Sequence, residues 1–126
     1  YHGYTYSGHP LAAAAGLATL TVYEEEGLFA RAKSLAPILE EELQTIKGCP
    51  YVIDIRNYGL LGAVELQPIE GKPTARAMSV FRQCFDNGLL VRTTGDTVAL
   101  SPPLIASEDE IRTVVAKLKE SLNSID

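Results

Sequence analysis

The sequence has 126 residues, 46% of them hydrophobic, which suits one domain, or one domain and an element of a neighbour. The net charge of -5 argues against nucleic-acid binding, because neutralising phosphates requires a basic surface. No apolar run is long enough to span a bilayer, and no signal peptide is visible. The isolated Cys49 and Cys84 favour two buried thiols in a reducing cytoplasm over a disulfide bridge.

Two helices are predicted in the first part of the chain. Residues 1–9 have the composition of a loop, and an alanine-rich helix runs from Pro10 to a cap at Gly27. Its small side chains suit close packing on other backbone, so we expect it to pack on protein outside this chain. The second helix should be kinked or divided at Pro37. Its apolar residues recur at steps of three and four and are Leu28, Ala32, Leu35, Leu39, Leu43 and Ile46.

The spacing of apolar residues then changes to that of short strands. Tyr51, Ile53 and Ile55 alternate with residues of the opposite face, as in a half-buried strand. The segment "LLGAVELQP" predicts a second strand, and the short link at 57–59 favours an antiparallel hairpin. Two further strands, "LLVRTT" and "TVALSP", are joined by a turn at 94–96.

Two more helices complete the chain. The first opens at Pro73 and continues to about Asn87, and the second is capped by Ser107 with Glu110 in the capping-box position. From Tyr51 onward, the order β-β-α-β-β-α predicts a compact α+β layer, with a small, mainly antiparallel sheet and helices on one face. The expected inward side chains are Ala77, Val80, Phe81 and Cys84 on the first of these helices, and Ile111, Val114, Val115, Leu118 and Leu122 on the second.

The segment "YTYSGHP", before the first helix, has two interpretations from its residues alone. Thr5 or Ser7 can cap the helix with a hydroxyl oxygen, which is the simpler and more common arrangement. Free amides and hydroxyls near a helix N-terminus can instead bind an anion, most often phosphate. His2 and His9 have no suitably spaced third ligand, so no metal site is predicted.

Arg92 also has two interpretations. At the end of an apolar strand and beside a turn made flexible by Gly95, it is either a solvated edge residue or a clamp for a carboxylate. Taken alone, the solvated edge residue is the more common case. No Ser/His/Asp or Cys/His set for nucleophilic catalysis is predicted, because the two histidines share one loop.

The segment "HGYTYSGHPLAAAAGLATL" resembles the start of the C-terminal part of the class III, pyridoxal-5'-phosphate-dependent aminotransferases. The resemblance continues through "RNYGLLGAVEL" and "GLLVRTTGDTVALSPPLIASEDEI", and it covers essentially the whole chain. The ω-amino acid:pyruvate, or β-alanine:pyruvate, type is the most similar. The resemblance implies the C-terminal small domain of a fold-type I enzyme. Residues 1–27 would form the end of the large cofactor domain and a bridging helix, and residues 28–126 the small α+β domain.

The resemblance also implies roles for individual residues. Thr5 matches the threonine of a T-[YF]-x-G-x-P pattern, which in the family binds the cofactor phosphate across a dimer interface. Arg92 matches the arginine that binds the substrate carboxylate, for which a guanidinium fork is well suited. Arg56 would tie the edge of the sheet to the large domain, with Asp54 and Glu65 facing solvent. None of the five lysines matches the lysine that forms a Schiff base with the cofactor, so no catalytic residue is predicted and the chain should be inactive alone.

The implied activity is transfer of an amino group from an amine or ω-amino acid to pyruvate or a similar keto acid. The implied enzyme is a cytoplasmic homodimer that uses pyridoxal 5'-phosphate and small-molecule substrates, without nucleic acid or membrane. Two alternatives stay open. One is another class III enzyme, such as an ornithine- or acetylornithine-type transaminase or an aminomutase. The other is a non-enzymatic α+β module for binding or dimerisation.

Overall fold

The computed structural model describes residues 3–125, and within them it contains four helices and four strands. The predicted order β-β-α-β-β-α, preceded by two helices, is confirmed. No helix in this part of the chain is long and apolar enough to cross a membrane. The elements are α1 (Pro10–Glu25), α2 (Leu28–Gln44), β1 (Val52–Tyr58), β2 (Leu61–Leu66), α3 (Ala75–Asp86), β3 (Arg92–Thr94), β4 (Thr97–Leu100) and α4 (Glu108–Asn123).

The four strands form one antiparallel sheet in the order β1-β2-β4-β3. The hairpin of β1 and β2 turns at Gly59, whose φ of 57° lies in the left-handed region that glycine adopts without strain. β3 has three residues and pairs only with β4, so it is a short edge strand. The predicted hairpin and antiparallel sheet are therefore both confirmed.

Helices α2, α3 and α4 cover one face of the sheet. Val64, Leu66, Val98 and Leu100 alternate along β2 and β4 and are buried on this face. Burying a side chain of this kind contributes roughly 1.5–3 kcal/mol relative to leaving it in water, so these positions supply much of the stability. The helical side chains of the same core are Leu35, Leu39, Leu43, Ile46, Ala77, Val80, Cys84, Ile111, Val115, Leu118 and Leu122.

Helix α1 lies apart from this core. None of its residues is buried, and Leu11, Leu17 and Leu20 are exposed. Its contact with the rest of the chain is with α2, where the rings of Tyr23 and Phe29 meet edge to face with centroids 5.0 Å apart. The apolar surface of α1 is thus left uncovered by the described residues.

The helix boundaries at two prolines can be compared with the prediction. α2 is continuous through Pro37, so the predicted division does not occur, and the apolar stripe on both sides of this residue is buried in one core. The third helix does not open at Pro73 but at Ala75. Thr74 precedes it with a φ of 68°, a left-handed conformation that cannot continue a helix, so the helix starts after it.

The edge strand is shorter than "LLVRTT" predicts and begins at Arg92. Leu89 lies after α3 but is bonded to its last turn, since its N–H donates to the carbonyl of Cys84 at 2.8 Å. In the register of β3 and β4, residues 89 and 90 fall opposite residues beyond Leu100, where β4 ends, so they have no strand residue with which to pair. Pairing between distant segments, rather than apolar content, sets this boundary.

The alternation predicted for β1 fails at Ile53. Val52 pairs with Leu66 and Asp54 with Glu65, so the register shifts at Ile53, as in a β-bulge. Ile53 is consequently 56% exposed, although its apolar character predicts burial with its neighbours. The extra residue changes the face on which the following side chains lie.

The capping box at the start of α4 is confirmed. Ser107 Oγ accepts a hydrogen bond from the N–H of Glu110 at 3.2 Å, and Glu110 Oε2 accepts one from the N–H of Ser107 at 2.7 Å. The bond from the backbone of Ser107, followed by that from its hydroxyl, lowers the pKa of Glu110 because both favour the ionised carboxylate.

We expect the charge of Glu110 to stabilise the fold at neutral pH and not in acid. A carboxyl group with a lowered folded pKa stabilises above its unfolded pKa, about 4.3, and this contribution is lost as the pH falls through the folded pKa. Glu110→Gln should therefore lower the urea midpoint at pH 7, and the difference should shrink towards pH 3. Asp109→Asn, in the same turn but outside the capping box, is the control. A difference that is equal at both pH values contradicts this expectation.

Candidate functional site

Thr5 lies in an exposed turn that precedes α1. The N–H of Ser7 donates to the carbonyl of Tyr4, and the N–H of His9 to that of Tyr6, both at 3.2 Å. Neither the hydroxyl nor the N–H of Thr5 has a hydrogen-bond partner among residues 3–125. Both groups are therefore available to donate a hydrogen bond.

The structure excludes the helix-cap interpretation of this turn. The N-cap of α1 is His9, whose side chain makes no capping bond, so neither Thr5 nor Ser7 caps the helix and that expectation is wrong. The first turn of α1 has no acidic residue either. The positive end of the helix dipole is thus not offset by a capping side chain, which suits an anion such as phosphate.

No metal site was expected at the two histidines. His2 lies outside the described residues, and His9 is at the N-cap of α1. In the part of the chain that the structure describes, no group of three histidine, cysteine, aspartate or glutamate side chains is arranged to hold a metal ion.

Arg92 is the first residue of β3 and is exposed. It pairs with Ala99, Ala99 with Ala63, and Ala63 with Arg56. Because directly opposite residues of antiparallel strands share a face, these four form one row across the sheet. The row lies on the face opposite the buried Val64 and Val98, away from the helices.

The two arginines of this row differ in their partners. Arg56 Nη1 lies 2.5 Å from Asp54 Oδ2 and 2.7 Å from Glu65 Oε2, and these side chains are about half exposed. The hydrogen bond to Glu65, followed by that to Asp54, raises the pKa of Arg56. Asp54 and Glu65 are partly exposed to solvent, as expected, and they also pair with Arg56. The side chain of Arg92, by contrast, makes no hydrogen bond or ion pair with any residue from 3 to 125, so its charge is available to an anion.

An open groove of about 1380 Å³ extends over Arg92 at this edge of the sheet. Apolar side chains, among them Leu61, Phe81 and Ile105, form much of its wall. Pockets for small ligands usually measure about 300–1,000 Å³, so further protein must close this groove to enclose a small substrate. None of residues 3–25 lines it, so the structure does not bring Thr5 and Arg92 together.

Sequence reasoning missed the role of Asp96. The N–H of Thr74 donates to Asp96 Oδ2 at 3.0 Å, and the N–H of Leu66 donates to the carbonyl of Asp96 at 2.9 Å. The turn after Arg92 is therefore held from two sides, although Gly95 predicts a flexible one. A carboxylate that follows glycine in a tight turn is a weak signal, and its partner, 22 residues away, cannot be identified from the sequence alone.

Comparison with known proteins identifies the family. The model of the family "Aminotransferase class-III" matches residues 1–122. The chain is 52% identical over its whole length to an omega-aminotransferase of Caulobacter vibrioides, of which it covers 29%. It is 40% identical over 98% of its length to a beta-alanine–pyruvate aminotransferase of Pseudomonas aeruginosa, of which it covers 28%.

Comparison with solved structures also leads to transaminases. A crystal structure of a mutant thermostable omega transaminase from Pseudomonas jessenii matches with a TM-score of 0.89 at 34% identity, over 97% of this chain and 28% of that one. The predicted α+β fold of a fold-type I transaminase is thus confirmed, and the chain spans less than a third of the length of these relatives. This chain belongs to the class III aminotransferase family.

Proposed function

We propose that the chain is the C-terminal part of a transaminase that transfers an amino group from an amine or ω-amino acid to pyruvate or a similar keto acid. Its similarity to an omega-aminotransferase and a beta-alanine–pyruvate aminotransferase supports this substrate class. The observation that carries the proposal is Arg92, an exposed guanidinium at a groove with no partner among the described residues. Such a group binds a planar carboxylate through two parallel hydrogen bonds.

Pyridoxal 5'-phosphate is the cofactor that this proposal requires, and it supplies an electron sink at the carbon that exchanges the amino group. Thr5 would hold its phosphate, because the hydroxyl and N–H of this residue are unpartnered donors in front of a helix whose first turn has no acid. A buried dianion requires such donors. These features fit the phosphate group.

A homodimer explains why Thr5 and Arg92 do not share a groove in one chain. We propose that Thr5 binds the cofactor of the partner subunit, while Arg92 binds the keto acid in the groove beside β3. The groove also requires further protein to enclose a small substrate, which agrees with a site completed by other parts of the enzyme.

The domain division that the resemblance implies is supported by the burial pattern. Residues 1–27 would end the large cofactor domain and bridge to the small domain, which comprises residues 28–126. The exposed leucines of α1 support this division, because they provide apolar surface that a larger domain can cover. Cys49 and Cys84 are free thiols, which is consistent with the proposed cytoplasmic location.

An assay of the full-length enzyme with matched acceptors tests the proposed function. With a β-alanine or simple amine donor, we expect pyruvate to yield alanine rapidly and its neutral amide, pyruvamide, to react much more slowly. The two acceptors differ little in shape, so the comparison isolates the carboxylate. Equal rates for both acceptors contradict the proposal. A strong preference for ornithine or acetylornithine as donor would favour that alternative type, and a complete lack of amino transfer would favour a binding module.

A further inference from the structure

We propose that Asp96 is a positioning residue for Arg92. Its carboxylate ties the β3–β4 turn to the start of α3, and it thereby fixes the edge strand on which Arg92 lies. This inference rests on the proposed role of Arg92 in binding the keto acid. It identifies a second residue that helps to determine the substrate specificity of that same site.

The edge strand has little support of its own. β3 contains three residues and pairs with β4 on one side only, where Arg92 is opposite Ala99. Helix α3 packs against β3, and the hydroxyl of Thr93 lies 3.7 Å from the sulfur of Met78 on that helix. The position of Arg92 is therefore set jointly by β4 and α3.

Asp96, which directly precedes β4, connects that strand to the start of α3. Its Oδ2 accepts the hydrogen bond from Thr74, the N-cap residue of α3, while its carbonyl accepts one from Leu66 at the end of β2. One residue thus joins the turn after β3 to the sheet and to the helix. Loss of the side chain leaves only the bond to Leu66 and frees the turn from α3.

The connection contains two features that are costly to the fold. Thr74 holds a φ of 68°, which is rare for a β-branched residue. Asp96 Oδ1 is buried and has no hydrogen-bond partner within residues 3–125. Strained backbone and unsatisfied polar atoms persist where the surroundings enforce them, and they concentrate at functional sites. Here both lie in or beside the turn that follows Arg92.

Half-reactions of the full-length holoenzyme with pyruvate and with an amine that has no carboxylate distinguish positioning from general stabilisation. Misplacing a binding group by about 1 Å can cost roughly 100-fold in rate, so Asp96→Ala should slow the pyruvate half-reaction by roughly 10- to 100-fold. The amine half-reaction should change little. Asp96→Asn, which keeps an acceptor for Thr74, should recover most of the loss. Glu70→Ala removes an exposed carboxylate from a neighbouring turn and is the control.

A double variant tests whether Asp96 affects the pyruvate half-reaction through Arg92. Because Asp96 acts through Arg92, Asp96→Ala should add no further loss when Arg92→Ala is already present. Additive losses, or equal losses in both half-reactions, would overturn the positioning role. If Asp96→Ala does not fold, Asp96→Glu decides, since it displaces the carboxylate by one methylene, and the absence of a selective pyruvate defect would count against the proposal.

The proposed role of Arg92 and the positioning role of Asp96 are contradicted by different results. If Arg92→Ala leaves the pyruvate half-reaction unchanged, the proposed function of Arg92 is wrong and the role of Asp96 falls with it. If Arg92→Ala is selectively defective and every Asp96 variant is not, only the positioning role is wrong.

Discussion

Replacing Arg92 with alanine should slow the reaction of the full-length enzyme with pyruvate far more than its reaction with a carboxylate-free amine. In the proposed complex the guanidinium and the carboxylate form a desolvated pair. Removing one partner of such a pair costs about 2–5 kcal/mol, much of it because the other charge is left unpaired. The amine brings no carboxylate, so its half-reaction loses no such pair.

The surroundings of Arg92 agree with the proposal that one groove accepts both substrates. A fixed, buried arginine opposite an uncharged donor would be costly, since an unpaired buried charge is unfavourable. Arg92 is instead exposed, and its row of the sheet continues through the small side chains of Ala99 and Ala63. Because Asp96 holds the adjoining turn, any movement between substrates is expected in the side chain of Arg92 rather than in the backbone.

Stopped-flow measurement of both half-reactions checks the effect of Arg92→Ala. Arg92→Lys keeps the charge without the guanidinium fork and should give an intermediate loss with pyruvate. Arg82→Ala is the matched control, since Arg82 is an exposed arginine on α3 that lies outside the groove. Equal losses with both substrates would show that Arg92 is structural, and the substrate assignment would then fall.

Replacing Thr5 with alanine should weaken cofactor binding in the full-length enzyme. A hydrogen bond to a charged group contributes about 1.5–3 kcal/mol, so the loss should be roughly tenfold or more in affinity. The hydroxyl of Thr5 has no partner within the described part of the chain and does not cap α1. A loss of affinity therefore cannot be attributed to a weakened helix.

Cofactor retention after dialysis measures this loss. Thr5→Ser keeps the hydroxyl and should retain the cofactor nearly as well as the unmodified enzyme does. Ser7→Ala removes another hydroxyl from the same turn and should have little effect. If Thr5→Ala retains the cofactor as well as the unmodified enzyme, Thr5 does not bind the phosphate.

The parts of the fold that could be predicted are those set by nearby residues. The buried stripe of α2 and the pairing of Ser107 with Glu110 depend on spacings of three and four residues within a helix, which the sequence displays directly. The exposure of Ile53 and the late start of β3 at Arg92 depend on the register with other strands. The sequence of a single strand does not show which residues of another strand it pairs with.

In the candidate site, too, some features could be predicted from the sequence and others could not. From its residues alone, "YTYSGHP" favoured a helix cap, which the structure excludes, and its assignment to phosphate came from the family pattern at Thr5. Arg92 could be chosen as a carboxylate clamp only through the same resemblance, because exposure alone also suits a solvated edge residue. The contact of Asp96 with Thr74 depends on the meeting of two distant segments, and only the structure shows it.

Locating the lysine that carries the cofactor in the full-length holoenzyme tests the central claim most directly. Borohydride reduction attaches the cofactor permanently to that lysine, and peptide mapping then identifies the position. We predict one stoichiometric adduct at a lysine outside residues 1–126, with loss of the cofactor absorbance band on reduction. A single stoichiometric adduct at Lys33, Lys47, Lys72, Lys117 or Lys119, or no adduct at any lysine, would contradict the account.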